Sequence, residues 1–191
     1  MSQIPIEEHG WNFYPETCPP DQDFIEYLEK DSKGRMVSVF HLGPGMHHKV
    51  GLWAATQENV FVRAISITPE EIIEYIRLAT ENPILNSRYL VDFGDVHLLN
   101  LYLLPRFDYI TLFHLGEISS QVYDPDYPSK SIPETVNLMM HKLCIGGQIL
   151  FFENSVAWGK IKPLINLEFD NNCSFIKSNY KSITIYRKTG V

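Results

Sequence analysis

Five of the seven histidines in the chain fall at or just after the end of a short β-rich segment. Carboxylates follow segments of the same kind at Asp95, Glu117 and Glu153. Imidazole and carboxylate groups work as general acids and bases, and they are also ligands of zinc, iron and nickel. Their spacing here matches no local metal motif such as H-E-x-x-H, so we assign no metal ligand. The histidines concerned are His41, His47, His48, His97 and His114.

A glycine turn, Gly43-Pro44-Gly45, separates the β-rich segment 36–42 from a predicted helix. Glycine lets the backbone approach a ligand closely, and the N–H groups that open the next helix could bind an anionic group such as a carboxylate. The same turn could instead serve only as a tight corner between a strand and a helix.

The elements that position these residues alternate along the chain. β-rich segments of five to eight residues are separated by helical patterns, which predicts parallel strands joined by crossover helices that cover both faces of the sheet. The predicted strands are 36–42, 60–67, 88–93, 107–114 and 148–152. The predicted helices are 24–31, 46–56, one that follows Thr68, one over 97–103 and one that follows Ser131.

Two helix starts carry the capping-box pattern, in which a hydroxyl residue precedes a glutamate by three positions. Thr68 and Glu71 form the first pair, and Ser131 and Glu134 form the second. For the helix after Thr68, the spacing predicts one apolar face directed at the core. Its members are Ile72, Ile73, Ile76 and Ala79.

The C-terminal segments 173–177 and 182–188 are separated by only four residues, 178–181. Four residues are too few for a crossover helix, so we predict an antiparallel hairpin at the edge of the sheet. The expected organisation is a single domain over 1–191, with an N-terminal arm and helix over 1–35 and an α/β core over 36–188.

The order of these signals from Met36 to Lys188 resembles the Rossmann-like class I S-adenosylmethionine-dependent methyltransferase family. The segment 41–45 lies where that family has its glycine-rich first motif, 94–96 resembles its adenine-contacting turn, and 107–110 resembles its fourth motif. The segment 143–147 resembles the glycine pair before strand five. The resemblance implies a doubly wound, mostly parallel seven-stranded sheet of order 3-2-1-4-5-7-6, with helices on both faces and an antiparallel C-terminal hairpin.

The resemblance also implies a site in the crevice between strands one and four, where the strand order reverses. There the chain would bind S-adenosylmethionine and transfer its methyl group to an unknown, small-molecule acceptor. The base that removes a proton from the acceptor would be His114 or, second, Glu117. The implied cofactor-binding residues are His41, Gly43, Pro44, Gly45, His47, Ser66, Asp95 and Val96.

Three positions depart from the family pattern. His41 replaces the acid before the first glycine, His47 replaces the third glycine, and Ser66 replaces the acid that holds the ribose hydroxyls. Loss of a charge-assisted hydrogen bond to the ribose costs about 1.5–3 kcal/mol, or roughly 10- to 150-fold in affinity, if nothing replaces it. Asp95 could accept from the adenine amino group or cap the helix that follows it.

Aromatic side chains precede the core in the N-terminal arm, at Trp11, Phe13 and Tyr14. They could cover the crevice, dock elsewhere or form a homodimer contact. The segment 117–133 could overhang the acceptor side as an acidic, aromatic lid, or be an ordinary surface loop. Its notable side chains are Tyr123, Asp124, Asp126 and Tyr127.

Composition narrows the class of partner. A formal charge of −7 disfavours a broad grip on a phosphate backbone, so we expect no nucleic-acid partner. No stretch has the length and apolarity of a membrane span, and the three cysteines form no C-x-x-C pair. These features favour a cytoplasmic protein with reduced cysteines and no membrane partner.

Three rival functions stay open. The first is a non-catalytic binding or interaction module built on the methyltransferase fold. The second is a nicotinamide dinucleotide enzyme, which the glycine turn fits loosely but which the antiparallel tail disfavours. The third is a metal-dependent enzyme that uses the histidines of the crevice.

Overall fold

Seven strands form one sheet with the order β3-β2-β1-β4-β5-β7-β6. The computed structural model describes residues 10–16, 18–117, 128–169 and 173–190. The strands are β1 Val37–Leu42, β2 Val60–Ser66, β3 Tyr89–Phe93, β4 Phe107–Thr111, β5 Leu143–Phe152, β6 Cys173–Ile176 and β7 Ile183–Lys188. The α-helices are α1 Pro20–Ser32, α2 Lys49–Ala55, α3 Pro69–Glu81, α4 Ile132–Lys142 and α5 Trp158–Phe169.

The sheet is parallel from β3 to β5 and antiparallel at its C-terminal edge. β1 pairs in parallel with both β2 and β4, while β7 pairs antiparallel with β5 and β6. The predicted strand order and the predicted hairpin are therefore confirmed. The order reverses between β1 and β4, which is the point where a crevice opens in a doubly wound sheet.

Each face of the sheet packs against its own helices, as the alternation predicted. On one face, Phe24 and Leu28 of α1 and Val50 of α2 pack against β1, β2 and β7. On the other, Met139 of α4 and Ile161 of α5 pack against β4 and β5. Burial of both faces is what stabilises a parallel sheet whose strands are apolar along their whole length.

Two strand boundaries differ from the sequence prediction by more than one residue. β4 ends at Thr111 rather than at His114, and the chain then turns through 113–117. β5 begins at Leu143, so the glycine pair lies within the strand and its register to β4 shifts there. A Cβ on Gly147 would lie 2.9 Å from the carbonyl oxygen of Asp108, so the bulge depends on the close backbone approach that glycine allows.

Three helix predictions also change. α1 begins at Pro20, four residues before the predicted start at residue 24. The predicted helix over 97–103 is replaced by the short 3₁₀ turns Val96–Leu98 and Leu101–Leu103. The amine of Lys130 donates to the carbonyls of His97 and Leu99, which satisfies acceptors that an α-helix would otherwise use. α2 begins only at Lys49, because His48 has a left-handed backbone with φ 42°. No helix over 158–169 was predicted.

The predicted core face of α3 is wrong at Ile73 and Ile76 and right at Ala79. Ile73 and Ile76 are 66% and 57% exposed, whereas Tyr75, Leu78 and Ala79 pack against the core. The ring of Tyr75 lies edge-on to Tyr89 at 5.5 Å between centroids. An aromatic contact with the edge strand therefore sets the rotation of this helix, in place of its isoleucines.

One of the two predicted capping boxes is present. Ser131 accepts from the backbone N–H of Glu134, and the Glu134 carboxylate accepts from the Ser131 N–H. Thr68 makes no side-chain cap bond to α3. The carboxylate of Glu71 turns away from Thr68 and toward the carboxyl end of β2, where it becomes part of the site described below.

Candidate functional site

A cavity of about 330 Å³ lies at the carboxyl ends of the parallel strands. Its lining includes residues at or just after the end of each of β1 to β5, among them Gly43, Ser66, Val96, His114 and Phe152. The volume falls in the range of small-molecule sites, roughly 300–1,000 Å³. The strand ends and the glycine turn therefore meet at one concavity, as the alternation of strands and helices predicted.

The N-terminal arm forms part of the cavity wall. Its Trp11, Phe13 and Tyr14 all line it. The carbonyl of Trp11 accepts from the N–H of Met46, which ties the arm to the glycine turn. The sequence left open whether these aromatic residues cover the crevice, dock elsewhere or form a dimer contact. In the structure they lie at the crevice.

At the carboxyl end of β2, a glutamate lies beside Ser66. The Ser66 hydroxyl donates to Glu71 Oε2 at 2.7 Å, and it accepts from the N–H of Thr68. Glu71 Oε1 accepts from the N–H of Trp11 at 3.3 Å. Burial raises the pKa of Glu71 above its ordinary value, while the bonds from Ser66 and Trp11 favour its charged form. An acid from α3 thus reaches the place where β2 ends in a serine.

Below the glycine turn, a buried carboxyl faces two imidazoles. Asp21 lies 3.7 Å from His41 Nε2 and 3.7 Å from His47 Nδ1. Burial raises the pKa of Asp21 to about 7, and burial lowers that of His41 to about 3 and that of His47 to about 4. At neutral pH the two rings are neutral, so these contacts are not ion pairs.

His41 is held inside the protein. Its Nδ1 bonds to Thr111 Oγ1 at 2.7 Å, and the ring is 1% exposed. Its Nε2 points toward Asp21 and has no hydrogen-bond partner within the described ranges. His41 therefore faces the Asp21 carboxyl of α1 and does not line the cavity.

Asp95 acts as a cap in this structure. Its Oδ1 accepts from the N–H of His97 at 2.8 Å, at the start of the 3₁₀ turn after β3. The His97 ring is fixed in turn by a 2.7 Å bond to Thr135. Of the two roles that the sequence left open for Asp95, capping is therefore observed, while a contact to adenine stays a prediction.

After β4, an imidazole lies between a thiol and a carboxylate. His114 Nε2 is 3.8 Å from the sulfur of Cys18, and its Nδ1 is 2.9 Å from Glu117 Oε2. Burial lowers the pKa of His114, but the bonds to Cys18 and Glu117 outweigh burial and raise it to about 10. Burial raises the pKa of Glu117, and the bonds from His114 and Ser155 bring it below its usual value.

Most of the residues that the sequence singled out meet at this cavity. Those that line it are Gly43, Gly45, His47, Ser66, Asp95, Val96, His114 and Glu117. His41 and Pro44 are buried and do not belong to the lining. His48 is also buried, bonded to the hydroxyl of Tyr89 and the carbonyl of Glu71. Of the predicted lid over 117–133, Tyr123, Asp124, Asp126 and Tyr127 lie outside the described residues.

Across the described ranges, no three His, Cys, Asp or Glu side chains converge as metal ligands. Within the same ranges, no helix is long and apolar enough to cross a membrane.

Sequence reasoning missed three residues of the site: Cys18, Asp21 and Glu71. The spacing of Thr68 and Glu71 predicts a capping box, and this local pattern gives Glu71 no role at the strand ends. Asp21 and Cys18 lie near the start of α1, and no local pattern connects them with strand ends more than twenty residues away. Only the packing of α1 and the arm over the sheet brings them to the cavity.

Comparison with known proteins bears on the fold. The sequence matches no protein-family model, and it has no significant match among curated proteins. A methyltransferase from Pyrococcus furiosus superposes with a TM-score of 0.64 at 15% identity, over 98% of this chain and 90% of that one. The chain has the class I methyltransferase fold.

Two further structures with the methyltransferase fold have different stated substrates or ligands. The N-methyltransferase NodS of Bradyrhizobium japonicum, in complex with S-adenosyl-L-homocysteine, superposes with a TM-score of 0.59 at 11% identity, over 88% of this chain and 86% of NodS. An rRNA methylase of Streptococcus thermophilus superposes with a TM-score of 0.56 at 11% identity, over 86% and 96% of the chains. One of these proteins is an N-methyltransferase and the other an rRNA methylase, so the shared fold does not determine the acceptor of this chain.

Proposed function

We propose that the chain binds S-adenosylmethionine or a related adenosyl ligand in this cavity and transfers a methyl group to a small-molecule acceptor. The observation that carries the proposal is the carboxylate of Glu71, which lies against Ser66 at the end of β2. The ribose-binding acid that Ser66 lacks is thereby supplied from α3. The complex of NodS with S-adenosyl-L-homocysteine supports an adenosyl ligand on this fold.

The residues around the cavity fit such a ligand at three points. Gly43 has φ 73°, and a Cβ there would have only His114 Cδ2, at 3.8 Å, near it, so the turn leaves room above it for a ligand. Ser66 and Glu71 would accept from ribose hydroxyls. Asp95, fixed by the N–H of His97, would accept from the adenine amino group. When bound, S-adenosylmethionine supplies an activated methyl group that transfers by direct displacement.

For an acceptor that must lose a proton, we propose His114 as the base, held by Glu117. A base accepts a proton only in its deprotonated form, and the pKa of His114 is about 10. Transfer to such an acceptor should therefore speed up as the pH rises through the alkaline range. The aromatic side chains of the arm would keep water from the reacting centre.

The net charge of the chain supports the proposed acceptor class, and its unpaired cysteines support the proposed cellular compartment. A net charge of −7 disfavours a broad grip on a phosphate backbone, which supports a small molecule over RNA. The cysteines Cys18, Cys144 and Cys173 are unpaired. A reducing compartment such as the cytoplasm is therefore the proposed location.

One observation favours the non-catalytic alternative. A Cβ on Gly45 would lie 2.5 Å from His47 Nε2 and 2.9 Å from the carbonyl oxygen of Trp11. The protein's own side chain and arm thus cover part of the glycine turn. An adenosyl ligand would have to displace the arm from Glu71 and from this turn, and a module that never binds one would keep it in place.

Isothermal titration calorimetry with S-adenosylmethionine and with S-adenosylhomocysteine tests the proposal. Wild type should bind at least one of them, and Glu71→Gln should weaken binding by roughly 10- to 150-fold because it removes the charge from the ribose contact. Glu70→Gln is the matched control, since Glu70 is exposed where it accepts from the Gly10 N–H. Absence of heat for both ligands at millimolar concentration would overturn the proposal and favour the non-catalytic module.

A further inference from the structure

Three side chains on the cavity wall stand in the order thiol, imidazole, carboxylate. Cys18 Sγ lies 3.8 Å from one ring nitrogen of His114, and Glu117 Oε2 lies 2.9 Å from the other. All three residues line the same cavity. A nucleophile beside a base, with the base oriented by a third group, is the arrangement that activates cysteine and serine in acyl transfer.

The carboxylate is itself held in place. Glu117 Oε1 accepts from the Ser155 hydroxyl at 2.5 Å, and Ser155 Oγ accepts in turn from the N–H of Ala157 at 3.2 Å. A continuous chain of hydrogen bonds therefore runs from the backbone at the start of α5 to the imidazole. Such support fixes a catalytic group within the narrow range of geometry that chemistry needs.

Aromatic rings fix the imidazole from two sides. Trp11 stacks on His114 with an interplanar angle of 13° and 6.5 Å between centroids, and Phe152 meets it edge-on at 6.0 Å. The ring can keep Nδ1 on Glu117 while Nε2 faces the sulfur. Burial lowers the pKa of His114, but the bonds to Cys18 and Glu117 raise it to about 10, so the ring is an imidazolium at neutral pH. A cationic neighbour is the setting in which a cysteine becomes nucleophilic.

We propose that Cys18 is the nucleophile of a Cys18–His114–Glu117 triad that cleaves a carboxylic ester or thioester with a small, apolar acyl group. The cavity of about 330 Å³ has room for such a group, and its lining includes the apolar side chains of Trp11 and Phe152, whose rings contact His114. This activity goes beyond the proposed methyl transfer and requires no adenosyl ligand.

The reaction balances with water as the only co-reactant. The Cys18 thiolate attacks the carbonyl carbon, the Sγ–C bond forms, and the bond to the leaving alcohol or thiol breaks as His114 gives that group its proton. Water then attacks the acyl-Cys18 thioester while His114 takes a proton from the water. The Sγ–C bond breaks, the carboxylic acid leaves, and the thiolate–imidazolium pair is restored.

The other two thiols provide internal controls, because neither has such partners among the described residues. Cys173 Sγ contacts Met140 Sδ at 3.9 Å, and burial raises its pKa to about 11. Burial also raises the pKa of Cys144 above its usual value. A thiol in its neutral form is a poor nucleophile, so selective reaction at Cys18 would report the triad rather than general thiol chemistry.

Incubation with 4-nitrophenyl acetate, followed by acid quench, intact mass and peptide mapping, tests the proposal. Wild type and Cys144→Ala should release a burst of 4-nitrophenol and carry one acetyl group on Cys18, and Cys18→Ala should lose both. His114→Gln should slow acylation by roughly 100-fold or more. Acetylation spread equally over Cys18 and Cys144, or an unchanged rate in His114→Gln, would overturn the proposal.

Glu117 is a positioning residue, so its variant needs a second readout. Glu117→Gln keeps the shape and can still bond to Ser155, but it removes the charge beside His114. The pH profile of Cys18 alkylation by iodoacetamide should therefore shift to more alkaline pH in this variant, with an unchanged far-ultraviolet circular dichroism spectrum. A profile that matches wild type would contradict the role of Glu117.

Calorimetry with S-adenosylhomocysteine on Cys18→Ala separates this proposal from the methyltransferase one. A protein that binds no adenosyl ligand but is acylated at Cys18 would retain the triad and lose only the methyltransferase assignment. Adenosyl binding without acylation of wild type would overturn the triad alone.

Discussion

Replacement of Asp21 by asparagine should remove a fall in stability that wild type shows as the pH rises from acid to neutral. The Asp21 carboxyl is buried and faces His41 and His47, both neutral at pH 7. Burial raises its pKa from 3.8 to about 7. The folded chain therefore holds a proton at pH values where the unfolded chain has already released it.

The sign and size of the effect on the free energy of unfolding follow from the difference between the folded and unfolded pKa of Asp21. A carboxyl whose folded pKa is raised contributes stability that is fully present below pH 3.8 and is lost as the pH rises through about 7. Each pH unit over which only the folded chain is protonated is worth about 1.4 kcal/mol, so the interval of about three units corresponds to at most roughly 4 kcal/mol. An asparagine amide cannot titrate and can donate to the unpaired His41 Nε2.

Urea unfolding followed by tryptophan fluorescence, at several pH values between about 4 and 8, measures the effect. The free energy of unfolding of wild type minus that of Asp21→Asn should fall steadily across this range. His41 and His47 titrate in both proteins, so their contribution largely cancels in the difference.

Asp92→Asn is the control, because Asp92 is a partly exposed carboxylate that pairs with Arg63. Asp92→Asn should not reproduce the downward trend, because Asp92 lies 2.6 Å from the Arg63 guanidinium and is not buried against neutral rings. If the free energy of unfolding depends on pH in the same way in wild type and Asp21→Asn, the inference that Asp21 is buried against neutral rings is refuted.

Two further predictions concern packing and alkaline stability. Gly51→Ala should lower the free energy of unfolding by about 1–3 kcal/mol, because the new Cβ would lie 2.2 Å from the Tyr89 ring. Gly159→Ala is the control: a Cβ there would have nothing within 4 Å, so the substitution should be neutral or slightly stabilising. Urea unfolding measures both. His114→Gln should flatten the loss of stability that wild type shows between pH 6.5 and about 10, because a raised pKa contributes stability that is present below 6.5 and lost through 10. An equally steep alkaline loss in thermal melts of His114→Gln would contradict that assignment.

Much of the fold could be predicted because its signals are local. The β-branched segment 60–67 and the turn at Gly43 require only a few neighbouring residues to be interpreted, and the four-residue connection 178–181 permits only a hairpin. The strand order came from the resemblance to the methyltransferase family. The position of the crevice then followed from the topology of a doubly wound sheet.

The site could be predicted only in part, because its partners are distant in sequence. Glu71 is close to a threonine that could cap α3, but its carboxylate bonds to Ser66 and Trp11 once the arm folds over β2. His41 occupies a cofactor position in the pattern, yet the packing of α1 places Asp21 against it. In both cases the side chain makes a long-range contact in the folded chain that the local sequence pattern does not predict.

By itself, the sequence determined the succession of strands and helices, the sharp bend at Gly43, and the gathering of histidines at strand ends. These follow from steric preference and hydrophobic periodicity, which act between neighbours along the chain. Tertiary structure alone decided that Cys18, His114 and Glu117 stand in line and that Asp21 is buried between two imidazoles. Such contacts join residues up to a hundred positions apart, and only the burial of α1 and the arm against the sheet brings them together.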